Sequence, residues 1–419
     1  MRYAIMEHFM ELAELPFISS SVFLKHRKKW LFPVIYRLYT SQKNAIVSRL
    51  KGLTEKLVLC GDAQFDSPGY CAKFCTYSIM NCKTNELVDI VIIQKGQFQG
   101  ELEKQACQLL LDILVNEVKL DIGTFVTDRH VGIGSMMRIR FPDIFHAFDI
   151  WHMAKSLQKK LTAAAKTHPK IGLWTGSLVN HFWWCCKECK GDTDLLLEMF
   201  HSCLFHVLNI HNWGRRRKIH DQLRNLRVGT RPYPTKPLLV KQCYHVHLDV
   251  GSSETTTWFE VDDSDFKALF KVICATKFSN DTKKCCNFVH TGNLESFHNL
   301  KLMYLPKSTG FTMTTTIIMT MLTAIQSRVY LEQKNSAKVH HVAQWSRASK
   351  KHVVKKRTEY DAVSFKKTII GEVNSNLISN AVLDMDLTPY IRQPVPKTFH
   401  GETAPPIDEL LARRLTRMS

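Results

Sequence analysis

"LVLCGDAQFDSPG", residues 57–69, decides how the rest of the chain is read. An apolar run leads into Gly61 and Asp62, and Asp66 then opens a Ser-Pro-Gly reversal. Asp, Ser, Pro and Gly are what a strand needs in order to stop and turn, so both aspartates fit a turn, and either also fits a metal ion. The text beyond extends the strand reading. "KLVLCGD", "AKFCTYSIM" and "ELVDIVIIQ" read as three strands, with "NCKTN" turning the second into the third. "GELEKQACQLLLDILVNEV" (100–118) is an amphipathic helix and "DIGTFVTD" (121–128) a fourth strand. "IFHAFDIWH" (144–152) makes a fifth strand that runs directly into the helix "MAKSLQKKLTAAAK". That succession predicts an α/β layout on one mixed sheet.

The 419 residues, 45% of them hydrophobic, can bury a substantial core, and the length suggests more than one domain. Lys and Arg number 57 against 38 Asp and Glu, a net charge of +19, which favours an anionic partner such as nucleic acid. The 13 cysteines are odd in number and scattered, and Glu7, Glu11 and Glu14 interrupt the first apolar segment. No signal core or membrane span is expected, and the cysteines read as thiols, core residues or metal ligands of a reducing compartment.

Residues 1–50 read as a helical, helix-turn-helix-like segment, with Ser19–Ser21 as an N-cap before the basic "SVFLKHRKKW". Residues 51–170 hold the first part of the sheet core. Residues 171–280 are mostly helical, tryptophan-bearing text that is too long for a loop, so they read as an inserted domain. The core is completed over 281–340 by the helix "TGNLESFHNLKLMYL", and 341–419 read as a basic, partly disordered tail.

Three acids occupy telling places. Asp62 ends the first strand, Asp128 ends the fourth, and Glu295 sits in the first turn of the late helix. Brought together they would repel, and divalent cations relieve that conflict because Mg²⁺ prefers oxygen ligands. Two such ions can activate an attacking oxygen and steady a leaving one at phosphorus. Taken singly, each acid also fits a cap, a turn or a helix N-terminal charge.

"GDAQFDSPG", "VTDRHVGIGSMMR…FPDIFHAFDIWHMAKSLQKKL", "NHFWWC" and "HTGNLESFHNLKLMYLPK", taken in order, resemble the transposases of eukaryotic cut-and-paste DNA transposons. The likeness is nearest to the Kolobok-like superfamily, with Mutator-like elements more distant, and covers roughly residues 10–330. It implies an RNase H-like mixed sheet with flanking helices, interrupted by a helical insertion and bearing a DDE triad. Carried over, the triad is Asp62, Asp128 and Glu295 with two Mg²⁺ or Mn²⁺ ions, and Asp149 and His152 take a supporting role beside it. The resemblance further implies double-stranded DNA as substrate, a homo-oligomer, nuclear localisation, and neither membrane nor small-molecule cofactor. Many relatives carry an N-terminal zinc-finger module, often of the THAP type, and no zinc-ligand cluster precedes the core here. A transposase-derived DNA-binding or scaffold protein, and a nuclease without strand transfer, are therefore the rival expectations.

Two further sets stand out. Cys185, Cys189, His206 and His211 have near-zinc spacing, with Cys186, Cys243 and His245 as additional donors; buried cysteines on a tryptophan-rich helix are the competing reading. Lys25, Arg27 and Lys28, then Arg215, Arg216, Arg217 and Lys218, and finally the run Lys350–Arg357, are candidate phosphate contacts.

Overall fold

The computed structural model describes residues 3–214, 223, 226, 239–244, 257–336, 339–347, 350–358, 361 and 363–391. Arg215–Lys218, His245 and the end of the tail lie outside the described residues. The chain opens with α1 (Tyr3–Leu12), α2 (Ser20–His26) and α3 (Phe32–Lys51). Ser19 caps α2 as expected, its hydroxyl accepting from the Val22 N–H. α2 passes through a π-helical turn, Arg27–Leu31, into α3, whose Phe32, Val34 and Ile35 enter the core. α1 buries none of its residues.

The sheet is built from β1 (Leu57–Phe65), β2 (Phe74–Asn81), β3 (Leu87–Gln94), β4 (Ile122–Thr127) and β5 (Phe145–Phe148), in the order β3-β2-β1-β4-β5. β1, β2 and β3 pair antiparallel, whereas β1, β4 and β5 run parallel. Asn81 closes the β2–β3 turn by accepting from the N–H groups of Lys83 and Thr84. α4 (Leu102–Asp112) joins β3 to β4, and α5 (Val131–Arg140) joins β4 to β5. α5 corrects the expectation of two strands in succession, since parallel neighbours need a crossover. Gly132 and Gly134 dilute its periodicity, but Ile133, Met136 and Met137 are buried.

Helices cover both faces. One core joins Leu59, Tyr77, Ile79, Val91 and Phe125 to α4, α5 and the end of α3. The opposite core joins Cys60, Met80, Ile90, Ile92, Val126 and Ala147 to the start of α3 and to later helices. Between them, Gly61 admits Tyr77 and Phe125 so closely that a Cβ would lie 2.6 Å from Phe125 Cζ and 2.7 Å from the Tyr77 hydroxyl. Gly61→Ala is therefore expected to lower stability by about 1–3 kcal/mol, read as a fall in the urea midpoint. An unchanged midpoint would mean that these rings move aside freely.

After β5 come α6 (Ile150–Ala165), α7 (Pro169–Glu188), α8 (Thr193–His201) and α9 (Cys203–His206), then α10 (Ser264–Ile273) and α11 (Thr276–Thr282). These helices share a core of their own, with Leu157, Phe182, Phe200, Phe205, Phe270 and Phe278 fully buried. The chain then returns to the sheet with α12 (Gly292–Lys301) and α13 (Met313–Ser336).

Within the C-terminal stretch read as a basic tail, the described residues hold regular elements. Antiparallel strands β6 (Val339–Ser346) and β7 (Lys351–Thr358) form a hairpin, and α14 (Ser364–Ile378) buries Phe365 and Ile369 against α3 and the core. Among the described residues no helix is long and apolar enough to cross a membrane.

Candidate active site

Side chains alternate across a strand, so parity decides which acids meet. Cys60, Val126 and Ala147 are registered neighbours on β1, β4 and β5, and all three face the core that contains α12. Two residues further on stand Asp62, Asp128 and Asp149. The sheet therefore sends three carboxylates to one face at the C-terminal ends of its parallel strands, where α12 delivers Glu295 from its first turn.

Two boundaries differ from those read in the sequence. β1 continues to Phe65, because pairing with β2 runs on after pairing with β4 stops at Cys60, so Asp62 is an interior strand residue. β5 ends at Phe148, and Asp149 caps α6 by accepting from the His152 N–H at 3.0 Å, which places Trp151 and His152 in a helix. Asp66 keeps its turn role: its carboxylate accepts from the N–H groups of Lys73 at 2.9 Å and Phe74 at 3.1 Å.

His152 is the hub. Its Nδ1 lies 2.9 Å from Asp128 and 3.5 Å from Asp149, and its Nε2 lies 3.9 Å from Glu295. Contacts with Asp128 and Asp149 outweigh burial and raise the imidazole to about 10, so it is a cation at neutral pH. Asp149, 1% exposed, also accepts from the Thr291 N–H and hydroxyl, which fastens the start of α6 to the segment that leads into α12. Burial alone would raise its carboxyl; the bonds from His152 and Thr291 overcome that and hold it at about 2.

A carboxyl depressed in the folded chain contributes stability above its ordinary pKa and loses it as pH falls through the folded value. Asp149→Asn is accordingly expected to cost about 2 kcal/mol at pH 7, with the gap to wild type closing between pH ~4 and ~2. Urea midpoints across that range check it, and parallel curves would contradict it.

Two neighbours were not singled out in the sequence. His298, one helical turn beyond Glu295, sets its Nδ1 3.3 Å from Asp62. Glu103 in the first turn of α4 is pushed up to about 7, by burial first and then by the charges of Asp62 and Asp128. The pattern "ESFHN" placed His298 on the buried face of the Glu295 helix, but the approach of α4 is a tertiary fact with no local signal.

Three of these side chains could hold a metal ion. Asp128, Asp149 and His152 bring ligand atoms within 4.8 Å of one another. The Asp128 Oδ1 and His152 Nδ1 atoms are shielded from solvent and face each other at 2.9 Å. Asp62 Oδ1 accepts from the adjacent Ala63 N–H at 2.7 Å, and its Oδ2 is the oxygen that pairs with His298. Oxygen donors of this kind suit Mg²⁺ or Mn²⁺. Beside them a cleft of about 380 Å³ is lined by Asp149, Trp151, Trp183, His290, Gly292 and Glu295.

The zinc set expected from Cys185, Cys189, His206 and His211 is not assembled. Cys185 Sγ lies 3.3 Å from His181 Nε2, and Cys189 Sγ reaches the carbonyls of Cys186 and Cys286, both at 3.3 Å, because α7 turns these thiols into the helical core. Of the basic residues, Lys25 and Lys28 are exposed, whereas Arg27 stacks on Phe32 and reaches Thr315. No family model matches the chain, and no curated protein matches it.

Proposed function

We propose that the chain is a DDE-type DNA transposase, or a protein derived from one, acting on phosphodiesters of double-stranded DNA. The observation that carries the reading is that Asp62 and Asp128 stand two residues beyond paired positions of adjacent parallel strands, while His152 lies 2.9 Å from Asp128 and 3.9 Å from Glu295 of the late helix α12. The strand order β3-β2-β1-β4-β5, antiparallel on one side of β1 and parallel on the other, supports the RNase H-like reading. Net charge +19 and a hairpin that exposes Lys351 and Lys355 supply phosphate contacts at low sequence specificity.

On this reading Asp62, Asp128 and Glu295 hold the divalent cations. Those ions, when bound, supply activation of an attacking oxygen and neutralisation of charge on the leaving one. Asp149 positions His152 and the segment before α12, so that Glu295 keeps its place. His152 balances the acids. Two DNA ends have to be joined in transposition, which calls for a homo-oligomer, and work on chromosomal DNA places the protein in the nucleus.

The second reading, a transposase-derived DNA-binding protein without catalysis, draws on His152 itself. An imidazolium among Asp128, Asp149 and Glu295 balances the acids without any metal.

Nicking of supercoiled plasmid by the purified chain, with Mg²⁺, with Mn²⁺ and with chelator, separates the two. Metal-dependent nicking, followed by joining of a 3′-hydroxyl end to a second duplex, is the outcome expected of the transposase. Binding of DNA with identical background in all three conditions would favour the second reading.

A further inference from the structure

The helical group carries a second cluster of metal-ligand residues, well separated in sequence from the acids. α9 ends at His206, and the turn after it leads to His211 and then Asn212, which bridges antiparallel to Gln242. The Cys243 N–H donates to the His211 carbonyl at 2.9 Å, and the Trp213 N–H to the Lys241 carbonyl at 2.9 Å. Main-chain bonds therefore hold Cys243 opposite His211, although about thirty residues lie between them.

The ligand atoms of His206, His211 and Cys243 all lie within 4.8 Å of one another, with His206 Nδ1 3.4 Å from Cys243 Sγ. Around a tetrahedral zinc, with bonds of about 2.0–2.3 Å, neighbouring donors stand about 3.3–3.8 Å apart. The observed nitrogen–sulfur edge falls in that range. Two indoles hold the imidazoles edge-on: the Trp174 ring centre lies 5.7 Å from that of His206, and the Trp258 ring centre 6.0 Å from those of both histidines. Trp174 is itself fixed by a bond from its indole N–H to the Thr257 carbonyl at 2.9 Å. Ligands braced in this way before an ion arrives are what a built metal site requires.

We propose that His206, His211 and Cys243 form a zinc site that ties the end of α9 to the segment 241–244. One thiolate and two imidazoles suit borderline-soft zinc, whereas the oxygen-rich set at the sheet suits Mg²⁺, so the two sites select different ions. His206 and Cys243 also line a cavity of about 350 Å³ walled by Trp174, Trp184 and Tyr244. The zinc reading is independent of DNA cleavage.

The 419-residue chain, purified with zinc present and dialysed, is expected to keep about one zinc per chain by atomic absorption. Replacement by cobalt(II) is expected to give intense visible bands of a tetrahedral ion and a thiolate-to-cobalt charge-transfer band. Cys243→Ser removes the charge-transfer band, while Cys185→Ser and Cys189→Ser leave it in place. Should Cys243→Ser fail to fold, the wild-type cobalt spectrum decides alone. Zinc below a tenth per chain with no charge-transfer band, or a band lost in Cys185→Ser, would overturn the assignment.

Discussion

Asp128→Ala is expected to lower Mg²⁺-dependent nicking by at least about 10³-fold, because a lost cation ligand forfeits several kcal/mol of charge stabilisation in the transition state. The geometry makes this acid the most sensitive of the set. It is two residues beyond Val126, which pairs with Cys60, so it stands beside Asp62 on the α12 face of the sheet. It is also the nearest partner of His152, whose imidazole drops from its raised value once Asp128 is gone. The side chain is 40% exposed, so its removal leaves no large cavity and the fold is expected to survive. Chelation of divalent cations should reproduce the loss in wild type. Asp143→Ala, at an exposed acid in the α5–β5 loop, should behave as wild type. Nicking by Asp128→Ala within tenfold of wild type would remove this carboxylate from the chemistry.

Lys301→Met is expected to stabilise the protein by about 3 kcal/mol at pH 7 and below. Lys301 ends α12, is 5% exposed, and gives its amine to the Thr76 hydroxyl at 2.8 Å. Burial lowers it to about 7, against attraction from Asp66. A shift from 10.5 to about 7 corresponds to about 5 kcal/mol lost from the charged folded form, and an unpartnered Thr76 hydroxyl in the variant takes back about 1–2. A lysine depressed in the folded state costs stability fully below its folded pKa. Between pH ~7 and ~10.5 the unfolded chain holds the extra proton, so wild-type stability rises with pH and the advantage of Met shrinks. Urea midpoints of both proteins from pH 6 to 10 test this. A variant less stable than wild type at pH 6 would show the ammonium to be well paired where it sits.

The strands and the acids were legible because they depend on local pattern. Apolar runs in "KLVLCGD" and "FVTD" stop beside aspartates, and an acid in the first turn of a helix needs no distant information. α5 was missed because Gly132 and Gly134 break up its text, and its evidence is the crossover that parallel β4 and β5 demand. α14 was hidden by the basic residues around Phe365 and Ile369, which bury only because α3 presents a surface to them. At the site, Asp149 was legible as a helix cap, but its bond to Thr291 across 142 residues was not. Glu103 and His298 belong to the same class, since Glu103 feels the charge of Asp62, and His298 touches it, only after helices dock on the sheet. For the thiols, the competing reading of buried cysteines on a tryptophan-rich helix is the one α7 realises for Cys185 and Cys189, whose thiols point inward, while a bridge at Gln242 brings Cys243, already named as an additional donor, beside His211.

Anomalous diffraction from crystals soaked in Mn²⁺ addresses the central claim, that the acids of the sheet and of α12 are cation ligands, most directly. A peak within about 2–2.5 Å of carboxylate oxygens of Asp128 and Asp62, with Glu295 in reach of the same ion or of a second, is the predicted result. A fully soaked crystal with no peak at these carboxylates, and His152 still seated between Asp128 and Glu295, would contradict it.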